Sequence, residues 1–186
     1  MMHLIASIDE IPAFLSEKRV EVNAIVETPQ GSQNKFKYDF KSGMFRLGSV
    51  LPTGASFPFE FGFIPGTLGE DGDPLDLLLL MDSPTFAGCA VCARVVGVVE
   101  ALQRAPGKKA ERNDRLIAVA LASRRHAHVR KLHDLRTSLL DEIEHFFISY
   151  NEMKDTDFEV IGRKGRGAAR RIITKGIKLA RKKSDL

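Results

Sequence analysis

The period of the hydrophobic positions changes once along the chain. Before residue 122, apolar residues fall in short runs broken by turn residues, and Val22, Ala24 and Val26 alternate with polar neighbours. Alternation of this kind is the period of a half-buried strand. The pattern predicts strands over 20–27, 34–40, 43–47, 57–64, 75–81, 90–102 and 115–121, with a projecting loop over 103–113. Such strands, separated by turns, are typical of a small barrel or sandwich.

After residue 122 the apolar residues recur every three or four positions, which is the period of a helix. They predict a long helix over 137–154, formed around Leu139, Leu140, Ile143, Phe146, Phe147, Tyr150 and Met153. The same spacing predicts an amphipathic C-terminal helix around Ala169, Ile172, Ile173, Ile177 and Ala180. We therefore expect an α+β protein whose 186 residues form a single domain.

The positive charge of the chain is concentrated at its C-terminus. The net charge is +4, and segment 164–186 carries nine Lys and Arg residues beside a single acid, Asp185. A basic helix of this kind can contact nucleic acid or an acidic surface. Because the segment has no aromatic residue on which bases could stack, we expect no nucleic-acid partner.

The sequence shows neither a targeting signal nor a membrane span, and its two cysteines suggest no catalytic role. Residues 1–14 lack the charge order of a signal peptide, and the longest apolar run, Leu77 to Met81, is too short to span a bilayer. We therefore expect a cytoplasmic protein with no membrane partner. Cys89 and Cys92 have the spacing of a redox motif, but their strand-like surroundings predict buried, inert thiols.

The most distinctive segment is Asp71-Gly72-Asp73-Pro74-Leu75-Asp76, with three carboxylates in six residues. Like charges this close destabilise a fold unless a cation offsets them. Carboxylate oxygens are ligands for Mg²⁺, Mn²⁺ or Ca²⁺, and Mg²⁺ often works with substrate phosphates. A calcium-binding EF-hand is excluded because its sixth position, which must be Gly, is Asp76. The remaining alternative is that these aspartates have no functional role and are present only because Asp is common in turns.

The acidic segment resembles the signature of the family I soluble inorganic pyrophosphatases. Further similar segments lie between about residues 20 and 155: Val26-Glu27-Thr28-Pro29, Asn34-Lys35-Phe36-Lys37-Tyr38-Asp39, the run from Phe57 to Pro65, Arg112-Asn113-Asp114-Arg115-Leu116, and the run from His145 to Tyr150. The resemblance implies an OB-like five-stranded barrel flanked by a long helix and a C-terminal helix. It also implies hydrolysis of pyrophosphate with several Mg²⁺ ions, for which Mn²⁺ can substitute, and a homo-oligomer.

The resemblance assigns roles by position. Asp73 corresponds to the general base that activates water, and Asp71 and Asp76 correspond to metal ligands. Glu27 matches a glutamate that lines the same site and is a further predicted metal ligand. Lys35 and Tyr150 match phosphate-binding residues.

Several positions depart from the family pattern. Ser49 stands where an arginine is expected, Asn151 where a lysine is expected, Lys37 where a glutamate is expected and Arg115 where a lysine is expected; Phe57 and Phe61 replace tyrosines. Of the metal-binding aspartates in the projecting loop, one has no counterpart, and the other aligns with Asn113 or, shifted by one, Asp114. We hypothesise that Lys37 compensates for Ser49 as a substrate-binding cation and that Asp114 replaces the missing metal ligand. Arg115 is a further predicted substrate-binding residue.

Two alternatives remain open at this point. The altered pocket could serve a hydrolase of another phosphoanhydride. The chain could also be a non-catalytic barrel that binds phosphate or nucleic acid through its basic tail.

Overall fold

The computed structural model of the chain describes residues 8–184, which form ten strands and two α-helices. The strands are β1 (Phe14–Ser16), β2 (Glu21–Thr28), β3 (Asn34–Asp39), β4 (Met44–Val50), β5 (Glu60–Phe63), β6 (Asp76–Leu80), β7 (Ala90–Arg104), β8 (Glu111–Arg112), β9 (Arg115–Ala120) and β10 (Asp157–Gly165). The helices are α1 (Thr137–Glu152) and α2 (Arg166–Ser184), and short 3₁₀ turns cover Ile8–Glu10 and Leu132–Asp134.

Strand pairing closes a ring. The main sheet has the order β1-β2-β5-β6-β9-β7-β10, and β2 pairs with β7 as well as with β5. Strands β2, β5, β6, β9 and β7 therefore form a closed circuit, in which β6 and β9 are parallel and the other pairs antiparallel. This ring and the two helices fit an OB-like five-stranded barrel with flanking helices, so the predicted fold class is confirmed.

The apolar run on β6 explains how the two helices attach. Leu77 and Leu79 pack in one core with Ala169 and Ile173 of α2. Leu78 and Leu80 face the other way, into a core shared with residues of α1 such as Ile143. Because successive side chains of a strand point to opposite faces, a continuous apolar run is buried on both sides.

The predicted elements are present with shifted ends. The strand expected over 57–64 is confined to Glu60–Phe63, and α1 ends at Glu152 rather than at residue 154. Strands β1, β8 and β10 were not predicted. Strand β8 lies inside the expected loop 103–113 and pairs with the end of β7.

The prediction of two buried thiols was wrong. Cys89 is half-buried, and Cys92 is exposed on β7. Cys92 shares its side of the strand with Ala90, which is also exposed, because residues two apart point to the same face.

The described residues stop short of both ends of the chain. The C-terminal helix is confirmed as α2, while Asp185 and Leu186 of segment 164–186 lie outside the described residues. Residues 1–7, on which part of the signal-peptide expectation depends, lie outside them too. Neither described helix combines the length and apolarity needed to cross a bilayer.

Candidate active site

The acidic segment forms a tight turn that leads into β6. Gly72 has a φ of 85°, a conformation that favours glycine, and the backbone N–H of Gly69 donates to the Asp73 carbonyl at 2.7 Å. The backbone N–H of Asp73 donates to Oδ1 of Asp71 at 3.2 Å. These bonds hold Asp71 and Asp73 in the turn, while Asp76 is the first residue of β6.

A cleft of about 620 Å³ opens in front of this turn. Its lining includes all but one of the residues predicted for the site: Glu27, Lys35, Lys37, Asp71, Asp73, Asp76, Arg115 and Tyr150. They come from β2, β3, the acidic turn, β6, β9 and α1. The cleft is large enough for a small anionic ligand with bound ions.

Glu27 and Lys35 form the inner ion pair of the cleft. Lys35 Nζ lies 3.1 Å from Oε2 of Glu27, and the two side chains are only 14% and 9% exposed. The backbone N–H of Tyr38 donates to Oε1 of Glu27 at 2.7 Å. Lys35 Nζ also lies 4.0 Å from the centre of the Phe61 ring. Phe61, which lacks a tyrosine hydroxyl, thus contributes a cation–π contact that orients the ammonium.

Lys37 and Asp73 form a second pair at the open side of the cleft. Lys37 Nζ lies 2.7 Å from Oδ2 of Asp73, and more than half of each side chain is exposed. Partial burial lowers the pKa of Lys37, but the hydrogen bond to Asp73 and the charges of Asp73, Glu27 and Asp76 together raise it above its ordinary value. Lys37 is therefore a cation at this site, positioned directly against the predicted base.

Arg115 and Asp76 form the third pair. The guanidinium of Arg115 donates to Oδ2 of Asp76 and to Oδ1 of Asn113. The guanidinium carbon lies 5.9, 5.0 and 5.4 Å from the ring centres of Phe61, Phe147 and Phe158, in that order. Arg115 is 4% exposed, and its Nε has no hydrogen-bond partner among the described residues. A planar guanidinium suits this aromatic cage and the fork of two acceptors.

Asp71 is the carboxylate of the turn that makes no ion pair with Lys or Arg within residues 8–184. Partial burial raises its pKa, and the negative charges of Asp76 and Asp73 raise it further. A divalent cation would relieve this repulsion, so the donor set fits Mg²⁺. No three metal-ligating side chains of the described chain converge on one point. Mg²⁺ can be held by one or two carboxylates together with water and substrate phosphates.

The structure does not bring Asp114 into the cleft. Its Oδ1 accepts hydrogen bonds from Arg112 Nε at 2.7 Å and from the backbone N–H of Ala101 at 3.1 Å, and its side chain is 8% exposed. These bonds fasten the end of β7 to the start of β9. The neighbouring residue Asn113 lines the cleft instead.

Tyr150 and Asn151 are adjacent in sequence near the C-terminus of α1, but their side chains make different contacts. Asn151 is 3% exposed, and its Nδ2 donates to the Phe147 carbonyl at 2.7 Å. The Tyr150 hydroxyl accepts a hydrogen bond from Lys154 Nζ, and burial raises the pKa of this phenol. Lys154 also lines the cleft. No motif in the sequence marks Lys154 as a site residue, although its spacing of four from Tyr150 would place the two side chains on one face of a helix.

Comparison with known proteins agrees with this geometry. Residues 24–181 match the family model described as inorganic pyrophosphatase. The inorganic pyrophosphatase of Synechocystis is 35% identical over 157 residues, covering 84% of this chain and 90% of the relative. That of Halalkalibacterium halodurans is 39% identical over 152 residues, covering 82% and 90%.

Solved structures give the same result. The crystal structure of inorganic pyrophosphatase from Thermus thermophilus superposes with a TM-score of 0.85 at 32% identity, covering 95% of this chain and 99% of that one. An inorganic pyrophosphatase from Neisseria gonorrhoeae has a TM-score of 0.85 at 28% identity, with the same coverage. The predicted enzyme class, inorganic diphosphatase, is confirmed, and the chain belongs to the family I soluble inorganic pyrophosphatases.

Proposed function

We propose that the protein hydrolyses inorganic pyrophosphate to two phosphates, with Asp73 as the general base. One observation carries the proposal: a single cleft is lined both by the carboxylates of Asp71, Asp73 and Asp76 and by the cations of Lys35, Lys37 and Arg115. Pyrophosphate is densely anionic, so its attack by water requires positive charge on its oxygens and a group that removes a proton from the water.

The cations of the cleft bind the substrate. Lys35, Lys37 and Arg115 contribute positive charge, and the Tyr150 hydroxyl contributes a hydrogen-bond donor. Lys35 and Arg115 are held by Glu27 and Asp76, so they are positioned before the substrate arrives. Because these side chains are already ordered, less conformational entropy is lost when the substrate binds.

We further propose that the enzyme works with several Mg²⁺ ions, with Mn²⁺ as a substitute. Asp71 and Asp76 are the proposed ligands, with water and phosphate oxygens completing the coordination. When bound, Mg²⁺ neutralises charge on the phosphate oxygens and lowers the pKa of a coordinated water. Glu27 is a weaker candidate for a metal ligand than Asp71 and Asp76, because both of its carboxylate oxygens already accept hydrogen bonds, from Lys35 and from the backbone of Tyr38.

Asp73 then receives a proton. Its carboxylate is more than half exposed toward the open side of the cleft, where a water can approach it. In the hydrolytic step the water oxygen bonds to one phosphorus while one proton of the water moves to Asp73. The bridging P–O bond breaks, the bridging oxygen leaves on the second phosphate, and Asp73 then returns its proton to that phosphate or to solvent. Lys37 donates a hydrogen bond to the Asp73 carboxylate. When the proton is transferred, Lys37 must therefore either leave this carboxylate or remain bound to it beside the water.

The proposed setting is a cytoplasmic homo-oligomer. Family resemblance supports both parts of this proposal. The basic segment 164–184 lies largely on α2, whose apolar face packs on the core, and we assign it no part in hydrolysis.

Phosphate release from pyrophosphate across a Mg²⁺ titration tests the proposal. We expect Asp73→Asn to reduce turnover by roughly 10²- to 10⁴-fold, the usual contribution of a general base, without loss of folded structure. Near wild-type turnover in that folded variant would exclude Asp73 as the base. Tripolyphosphate and nucleoside triphosphates, measured alongside, decide between pyrophosphate and another phosphoanhydride. A wild-type protein that releases no phosphate at any Mg²⁺ concentration would refute hydrolysis.

A further inference from the structure

Three cations of the cleft already have carboxylate partners. Lys35 pairs with Glu27, Lys37 with Asp73 and Arg115 with Asp76. Each pair neutralises much of its own charge. An anionic ligand therefore gains less from these groups than their number suggests, because each has a competing partner nearby.

Lys108, Lys109 and Lys154 also line the cleft, and none of the three makes an ion pair with the described side chains. Of these three, the one that contacts Tyr150 is Lys154. Within residues 8–184 no carboxylate lies within ion-pair distance of its ammonium, which instead donates a hydrogen bond to the Tyr150 hydroxyl and lies 4.0 Å from the centre of the Tyr150 ring. Partial burial lowers the pKa of Lys154, as do the positive charges of Arg115 and Lys37. Its ammonium is therefore a cation that lines the cleft near Arg115 and Lys37, and no protein carboxylate within the described residues competes with an anionic ligand for it.

The local backbone fixes Lys154 in this place. It follows the end of α1 in a turn whose backbone N–H groups, from Lys154 and Thr156, both donate to the Asn151 carbonyl, at 2.9 and 3.1 Å. Asp155 adopts a φ of 52°, which reverses the chain toward β10. Tyr150 and Lys154 are thus presented together as a pair of donors at one side of the cleft.

The residue at position 151 cannot provide a positive charge to the cleft in this chain. Asn151 carries no charge, and its side chain is committed to the Phe147 carbonyl inside the protein. Ser49 also lines the cleft without a charge. Lys154, rather than position 49 or 151, therefore adds a positive charge beside Tyr150, in addition to the charges of Lys35 and Arg115 that act on this phenol.

We propose that Lys154 is a substrate-binding residue, which binds phosphate oxygens of the ligand together with the Tyr150 hydroxyl. This inference rests on the proposed pyrophosphatase function. It adds a residue that the family motifs in this sequence do not contain. Loss of one charge-assisted contact should weaken ligand binding by roughly ten- to a hundredfold.

Binding of methylenediphosphonate, a non-hydrolysable P–C–P analogue, measured by calorimetry in Mg²⁺, tests this role without turnover. We expect Lys154→Gln to weaken binding ten- to a hundredfold and Lys154→Arg to retain it within a few-fold. Lys178→Gln is the matched control, because Lys178 is exposed on α2 outside the cleft, and it should bind like the wild type. Lys154 is itself exposed, so the variants should fold, as a thermal melt would verify.

A second pair of variants separates direct binding from mere positioning of Tyr150. If Lys154 contacts the ligand, Lys154→Gln still weakens analogue binding in a Tyr150→Phe background. If the effect disappears in that background, or if Lys154→Gln binds within twofold of wild type, the inference is overturned. Hydrolysis is assayed separately: wild-type protein that binds the analogue but releases no phosphate refutes the proposed function, while the role of Lys154 in anion binding is still decided by the calorimetry.

Discussion

Lys37 Nζ lies 2.7 Å from Oδ2 of Asp73, so the proposed base is paired with a lysine of the β3–β4 hairpin. The resemblance to the family places a glutamate at position 37, and this chain has the opposite charge there. The structure thus places a permanent protein cation beside a carboxylate that a metal-bound water would otherwise approach. We therefore expect Lys37 to compete with divalent cations at this side of the cleft.

We therefore expect Lys37→Gln to strengthen Mg²⁺ binding. Removing one positive charge beside Asp73 should lower the apparent dissociation constant by a factor of about 1.4 to 5, since exposed ion pairs are worth about 0.2–1 kcal/mol. Calorimetric Mg²⁺ titration without substrate measures this effect separately from any loss of substrate contact. Lys41→Gln, at the exposed turn of the same hairpin, is the charge-matched control. Weaker Mg²⁺ binding in Lys37→Gln than in Lys41→Gln would contradict the competition.

Asp71→Asn should stabilise the metal-free protein at neutral pH. The pKa of Asp71 is raised in the fold, so its ionised form is disfavoured there relative to the unfolded chain. This unfavourable contribution is present above the folded pKa and disappears as the pH falls below the unfolded value of 3.8. Asparagine retains the oxygen that accepts the Asp73 N–H and removes the charge.

Thermal melts in EDTA and in Mg²⁺ check this expectation. In EDTA at pH 7 the Asp71→Asn variant should melt above the wild type, and the difference should shrink as the pH is lowered toward 4. Added Mg²⁺ should raise the melting temperature of the wild type more than that of the variant, because binding to the folded state stabilises it. A variant that melts lower in EDTA would show that the Asp71 charge is already compensated.

Arg115→Ala should destabilise the protein strongly. It leaves the carboxylate of Asp76 without its partner and empties the cage of Phe61, Phe147 and Phe158. Removing one partner of a fully buried pair typically costs about 3–5 kcal/mol in the free energy of unfolding. Because the Asp76 side chain is 22% exposed, we expect a loss near the lower end of that range. Urea denaturation measures it. Arg104→Ala, which breaks the exposed pair with Asp157, should cost less than ~1 kcal/mol. Equal effects of the two substitutions would contradict the structural role of Arg115.

The main elements were predictable because their hydrophobic patterns are strong. The alternation in β2, the apolar run of β6 and the helical spacing of α1 each reflect a face that must be buried. Strand β10 escaped prediction for a physical reason. Its alternation is interrupted by a register shift between Val160 and Gly162, and its stability comes from pairing with β7, which lies far away in sequence.

Some residues of the candidate site were also predictable from the sequence, whereas others were not. The spacing of Asp71, Asp73 and Asp76 was readable, because the chemistry of a tight acidic turn is local. Asp114 was not: its neighbour Asn113 faces the cleft, while Asp114 turns toward Arg112 and Ala101. Adjacent residues of an extended chain point in opposite directions, so a shift of one position decides which of them reaches the site.

The sequence by itself determined the acidic turn, the strand and helix periods and the family signature, all of which depend on residues close together in the chain. Only the tertiary structure decided which cation each carboxylate contacts, because Lys37 and Asp73 are 36 positions apart and Arg115 and Asp76 are 39 apart. It also decided that Lys154 is the cleft cation that combines a hydrogen bond to Tyr150 with no carboxylate partner among residues 8–184. Side-chain partners follow from strand pairing and from where loops end in space, and those are set by packing of the whole ring.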